Sequence, residues 1–146
     1  MTLRMDAGVI PGGDAEIVRY PADEIRLLAV DRGEVQVIEY VSTDHDGSPV
    51  HSHPWDEIEV VVDGEAEFLV GTDRVRGGPG TVQLLPSGVP HSVRIPDGEA
   101  RIIMVTIGAP YDGFAREMAR LQGDRASLEE LVAAAASFGV RLAPSH

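Results

Sequence analysis

Between about Glu16 and Gly108, short apolar runs are interrupted at close intervals by Gly- and Pro-containing breaks, the rhythm of an all-β sandwich or barrel. Seven segments read as strands: Glu24 to Val30, Glu34 to Ser42, Glu57 to Val62, Glu65 to Val70, Thr81 to Leu85, His91 to Ile95 and Ala100 to Ile107. Most are short and rich in β-branched residues, which fit a pleated, half-buried surface. Asp63-Gly64 between two of them predicts a two-residue hairpin of type I′, with positive φ at both central residues and a tight register between its strands. After Pro110 the period changes. Phe114, Met118 and Leu121 fall on one helical stripe, with Asp112 as the predicted N-cap. A second helix is marked by a capping box, Ser127 and Glu130, an apolar face of Leu128, Leu131, Val132 and Ala135, and Gly139 at the C′ position. The expected organisation is one domain over 1–146, a barrel over about 16–108 and a helical tail over about 111–139, its two helices packed on the barrel wall.

Composition narrows the chemistry. Acidic side chains outnumber basic ones 24 to 12 for a net charge of -12, the opposite of the basic patch a phosphate backbone requires, so nucleic acid is not an expected partner. With no cysteine, thiolate nucleophiles and sulfur-ligated metals are excluded, and any metal must be held by nitrogen and oxygen. All basic residues are arginine, so no lysine can form a Schiff base. Neither a secretory leader nor a run of about 20 apolar residues stands out, and a cytoplasmic protein without membrane partners is expected.

His51, His53 and His91 adjoin strands, and the first two are spaced i, i+2, which on a strand places both on one face. If extended pairing continues, Glu57 shares that parity, and the segment HSHPWDE offers two imidazoles and a carboxylate to one side of a sheet. His91, after the turn Pro86 to Pro90, can supply a further ligand from a neighbouring strand. By itself, an HSH pair is equally compatible with a polar loop.

Over Gly47 to Ile95 the sequence resembles the cupin family. The first cupin motif, H-x-H-x3-E-x6-G, is met by His51, His53, Glu57 and Gly64; the second, G-x5-P-x-G-x2-H, by Gly80, Pro86, Gly88 and His91. His45 stands where the family has glycine, and Ile95 where it often has asparagine; both lie outside the ligand set. The resemblance implies a jelly-roll (double-stranded β-helix) barrel, with His51, His53, Glu57 and His91 converging on one divalent transition metal. Imidazoles plus a carboxylate suit Fe, Mn, Co, Ni, Cu or Zn, and four ligands on a six-coordinate ion leave two positions open.

Glu59 shares the parity of Glu57. It would act as a base or hold a polar substrate, or else pair with an arginine at the rim. Trp55 would be a stacking wall for substrate or a packing residue at the barrel mouth. Ile58, Val60 and Val62 face the other way and need cover from a dimer partner or an N-terminal strand; a homodimer is expected. His45 and His146 read as surface residues. The functional expectation is a dioxygenase-type enzyme similar to quercetin dioxygenase-like cupins, acting on a small aromatic or enolisable molecule, with Glu57 as both ligand and proton acceptor. The alternatives are a non-oxidative enzyme of the polyketide cyclase or sugar isomerase type, and a binding module without catalysis.

Overall fold

The computed structural model describes residues 3–143, so His146 lies outside the described residues. In chain order the elements are β1 (Glu16–Arg19), β2 (Asp23–Ala29), β3 (Val35–Ser42), β4 (His51–Ser52), β5 (Asp56–Asp63), β6 (Ala66–Val70), β7 (Asp73–Gly77), β8 (Val82–Leu85), β9 (His91–Arg94), β10 (Ala100–Ile107), α1 (Tyr111–Gly123), α2 (Leu128–Ser137) and β11 (Arg141–Leu142). All seven predicted strands and both helices form. The four strands that were not singled out, β1, β4, β7 and β11, have two to five residues each, too few to show a period of two.

Strands pair antiparallel into two sheets, one ordered β1-β2-β3-β10-β5-β8 and the other β11-β4-β9-β6-β7, the double-sheet jelly roll that the sequence predicts. Alternation along each strand separates the faces. On β5, Glu57, Glu59 and Val61 are buried, while Ile58 and Val60 are half-buried and Val62 is exposed. On β10, Ile102, Met104 and Thr106 are buried. One core cluster joins Val61, Ala66, Phe68, Ile95, Ala100 and Ile102 between the sheets; a second joins Val18, Ile25, Leu27, Ile38 and Met104. Fully buried side chains such as Ile38 and Ile102 contribute roughly 1.5 to 3 kcal/mol each over their exposed state.

The predicted hairpin at Asp63-Gly64 does not form. β5 and β6 belong to different sheets, and β5 pairs with β10 and β8 instead. Gly64 has φ +77°, but Asp63 does not adopt positive φ, so the type I′ geometry is absent. The segment carries the chain from one sheet to the other. Glycine is required because a Cβ at this position would run into the backbone carbonyl oxygen of Glu99.

The helices differ from expectation at several points. Pro110, not Asp112, is the α1 N-cap; Asp112 lies in the first turn, where its carboxylate accepts from the Gln36 amide at 3.0 Å and its N–H donates to the Gln36 oxygen at 3.0 Å. Leu128 and Val132 of the predicted apolar face are exposed, and α2 packs inward mainly through Ala135, whose small side chain lets the helix approach closely. The tail also does more than cover a wall. Phe114 and Met118 join Trp55, Ala109, Ala135 and Val140 in a cluster at the barrel mouth, so the helices close one end of the interior. At α2 the Ser127 half of the predicted capping box forms, Ser127 accepting from the Glu130 N–H at 3.1 Å, while no return bond to the Glu130 carboxylate is found among the described residues; Gly139 (φ +85°) follows the last turn as predicted, with the Val140 N–H bonded to the Ala135 carbonyl.

Of the two covers expected for the outer face of β5, the N-terminal strand is not one. β1 extends the same sheet at its far edge beside β2. Val62, Val82 and Leu84 remain exposed on that face. No described helix is long and apolar enough to cross a membrane.

Candidate metal centre

The residues of the HSHPWDE segment meet across the interior rather than along one sheet face. β4 carries His51 in the five-stranded sheet and β5 carries Glu57 in the six-stranded sheet, with the crossing between them at Pro54-Trp55. The expectation of one continuous face is thus corrected. Proline, lacking an N–H, ends the β4 ladder at the place where the chain must leave it. His51 lies directly opposite His91 in the β4–β9 pair. Gly88 in the turn before β9 donates its N–H to the His53 carbonyl at 2.8 Å, which ties the second motif to the first.

All three histidines are oriented in one way. Nδ1 of His51 lies 2.7 Å from the Pro49 carbonyl, Nδ1 of His53 3.0 Å from the Trp55 carbonyl, and Nδ1 of His91 2.9 Å from the Val89 carbonyl. A carbonyl can only accept, so each Nδ1 carries the proton, and each Nε2 is left with a bare lone pair. Such backbone bonds fix the tautomer and ring angle of metal-ligating histidines. Ligand atoms of His53, Glu57 and His91 lie within 4.8 Å of one another, and all three residues are buried. Nε2 of His53 is buried with no hydrogen-bond donor beside it; its neighbour is the Glu57 carboxylate at 3.4 Å. This donor set fits a divalent transition metal: two neutral imidazoles and one hard carboxylate. His51 stands beside the trio, its ring 4.3 Å from that of His91 and 6.2 Å from that of His53.

Burial makes protonation of His51 and His91 costly. The His51 imidazole is held below its ordinary value by desolvation, and His91 is pushed down to about 4 by desolvation and by its proximity to His51. The proton therefore competes with a metal only under acidic conditions. On acidification, metal release is expected to begin below the ordinary imidazole value near 6.5 and to be still incomplete at pH 4. Metal content after dialysis at fixed pH between 4 and 8 measures this; release centred at or above 6.5 would contradict the geometry.

Trp55 takes the packing role, one of the two expected of it. It is 3% exposed, its ring stacks on His53 at 4.4 Å and 6°, and its Nε1 donates to Glu57 Oε1 at 3.4 Å. It packs the mouth and holds two of the candidate ligands. Among the described residues Glu59 has no arginine partner and it is buried, which goes against its rim salt-bridge reading. It is buried on the same side of β5 as Glu57, Tyr40 donates to its Oε1 at 3.1 Å, and its Oε2 has no partner. Burial pushes its carboxyl well above the usual carboxylate range, with the Glu57 charge adding and the Tyr40 hydrogen bond opposing. His45 is a surface residue as expected, bonded through Nδ1 to the Ile95 carbonyl at 2.9 Å.

The histidines and both glutamates line one cavity of about 160 Å³. A cavity of this order holds a molecule of benzene size. Tyr20, Tyr40, Tyr111 and Phe114 also face it, and sequence reasoning did not find them. Tyr40 sits in the run VQVIEYVS, where apolar residues occupy both parities and hide which face is inward. Tyr111 and Phe114 reach the cavity only because the helical tail folds over the mouth.

Residues 37–107 match the family described as Cupin domain. Over 50 residues the chain is 48% identical to the dimethylsulfoniopropionate lyase DddQ of Ruegeria pomeroyi, a match covering 34% of this chain and 25% of that protein, so the chain spans only about a quarter of the length of the curated relative it matches. Among solved structures, an RmlC-like cupin from Shewanella frigidimarina superposes with a TM-score of 0.66 at 19% identity, covering 76% of this chain and 99% of that one. The polyketide cyclase RemF from Streptomyces resistomycificus superposes with a TM-score of 0.58 at 20% identity, covering 69% and 79%. Residues 37–107, just under half of the chain, match the cupin domain, and the barrel built around them has the fold of the solved cupin it superposes on.

Proposed function

We propose that this protein is a metal-dependent enzyme that removes a proton next to a carbonyl or carboxylate group of a small substrate. His51, His53, Glu57 and His91 hold the metal, and Glu59 accepts the proton. The observation that carries the reading is Glu59: a buried carboxyl in the metal cavity, tied to Tyr40 through one oxygen and unpartnered at the other. A bound metal would polarise the substrate oxygen and offset the negative charge that develops on it. A carboxylate whose proton affinity is raised by burial is a stronger base than one in water. Glu57, given the proton-accepting role in the sequence-based expectation, is engaged with Trp55 and His53 and is better suited to ligation. Stacked Trp55 and the helical tail restrict water at the mouth.

The dioxygenase reading uses the same ligands and keeps one observation in its favour, the apolar side chains of Ile25, Met104 and Phe114 on the cavity wall, which would shelter an oxygen-sensitive species. The cavity volume favours small substrates over flavonol-sized ones in either case. Turnover measured in air and under argon separates the two. The proton-abstraction reading expects equal rates without oxygen consumption; stoichiometric oxygen consumption would replace it with the oxidative one. The expected homodimer belongs to the same proposal: a second copy would cover the exposed Val62, Val82 and Leu84, and Leu84→Glu is expected to give a monomer by light scattering.

A further inference from the structure

Four carboxyl groups line the cavity. Besides Glu57 and Glu59 it is lined by Asp23 and Asp44, and no arginine lines it, in a chain without lysine. Asp23 on β2 lies opposite Ser42 on β3, and Asp44 follows two residues later, its N–H bonded to the Ser42 hydroxyl at 3.1 Å. Among the described residues neither aspartate forms an ion pair. The arginines on the neighbouring strands are committed elsewhere: Arg19 to Glu24 at 3.6 Å, Arg26 to Glu39 at 3.1 Å and Arg94 to Glu67 at 3.1 Å. The Asp23 carboxyl is raised by burial and by the Asp44 charge, with Ser42 opposing, as for a half-buried carboxylate that lacks its counter-charge. Independently of this pair, Glu59, a residue only 4% exposed, also lines the cavity, and its Oε2 is buried without a hydrogen-bond partner among the described residues. Tyr20, Tyr40 and Tyr111 line the same cavity as the two aspartates and the metal trio, and aromatic rings attract alkylated cations.

We infer that the substrate carries a compact alkylated cation: an oxygen-bearing end reaches the metal ligands, and an onium group rests between the Asp23–Asp44 pair and the tyrosine rings. This deepens the proposed function by naming its substrate class, and it rests on that reading of the cavity. Carboxylates without counter-charge in a partly desolvated site repel anions and favour cations, and aromatic faces favour an alkylated cation over a strongly hydrated inorganic one. A neutral molecule of the same shape would fill the same space and leave the carboxylates unpaired.

Choline and its uncharged isostere 3,3-dimethylbutan-1-ol test the inference, titrated into the metal-loaded protein at fixed ionic strength and followed through Trp55, the single tryptophan. Choline is expected to bind about tenfold more tightly than the alcohol, and increasing salt should erode the difference. Asp23→Asn and Asp44→Asn are each expected to weaken choline about three- to tenfold without changing the alcohol. Equal affinity for the two compounds, absence of choline binding, or variants that bind choline like the native chain would overturn the inference. The wild-type comparison needs no variant to fold. Turnover of Glu59→Gln is read in parallel: if choline is not preferred and that turnover is lost, the cation inference fails alone; if choline is preferred and that turnover is intact, the proposed function fails alone.

Discussion

Glu59→Gln is expected to lower turnover by about 10² to 10⁴ while metal content stays at the native level. Glutamine keeps the size of the side chain and an oxygen for the Tyr40 hydroxyl, so the packing around β5 is preserved. It cannot accept a proton. The loss should therefore appear in kcat, with KM changed little, since substrate binding to the metal and to the mouth is untouched. Tyr40→Phe is the companion variant: it removes the hydrogen bond that opposes the raised proton affinity of Glu59, so the acid limb of the pH–rate profile is expected to move upward. A Glu59→Gln protein with native turnover would rule out Glu59 as the base and return the role to Glu57.

The second large effect concerns the metal itself. Replacing His53 and His91 together by alanine removes two of the three donors that lie within 4.8 Å of one another, and bound metal is expected to fall from one equivalent to near none, with activity lost. Thermal unfolding gives a readout independent of activity. A metal present at about 100 times its dissociation constant stabilises the native chain by about 2.7 kcal/mol, roughly 5 to 11 °C in Tm at this size, and the double variant should show no metal-dependent shift. Stoichiometric metal in that variant would show that the donors lie elsewhere. His51→Ala alone separates a fourth ligand from a neighbour: weaker but measurable metal binding is expected if His51 ligates, and none of the weakening if it only packs on His91.

What the sequence determined by itself was local. Strand runs over residues 24–107, the helical tail, the Ser127 cap and the Gly139 terminus follow from periodicity and from side-chain to backbone bonds spanning three or four residues, and these formed as read. The two cupin motifs were legible because ligand chemistry fixes both residue type and spacing. Tertiary structure decided what depends on distant partners. Whether Asp63-Gly64 closes a hairpin or crosses between sheets turns on where β10 pairs, some forty residues later in the chain, and on the approach of the Glu99 carbonyl. Glu57 faces the histidines from the opposite sheet, an arrangement that strand parity cannot distinguish from a shared face. Leu128 is apolar and exposed while Ala135 is buried, because close packing against the mouth selects a small residue over a large one. The cavity's set of carboxyl groups, the orphaned oxygen of Glu59 and the wall of tyrosines exist only once β2, β3, β5 and α1 are brought together, since burial and the absence of a counter-charge are properties of an assembled interior and not of any segment.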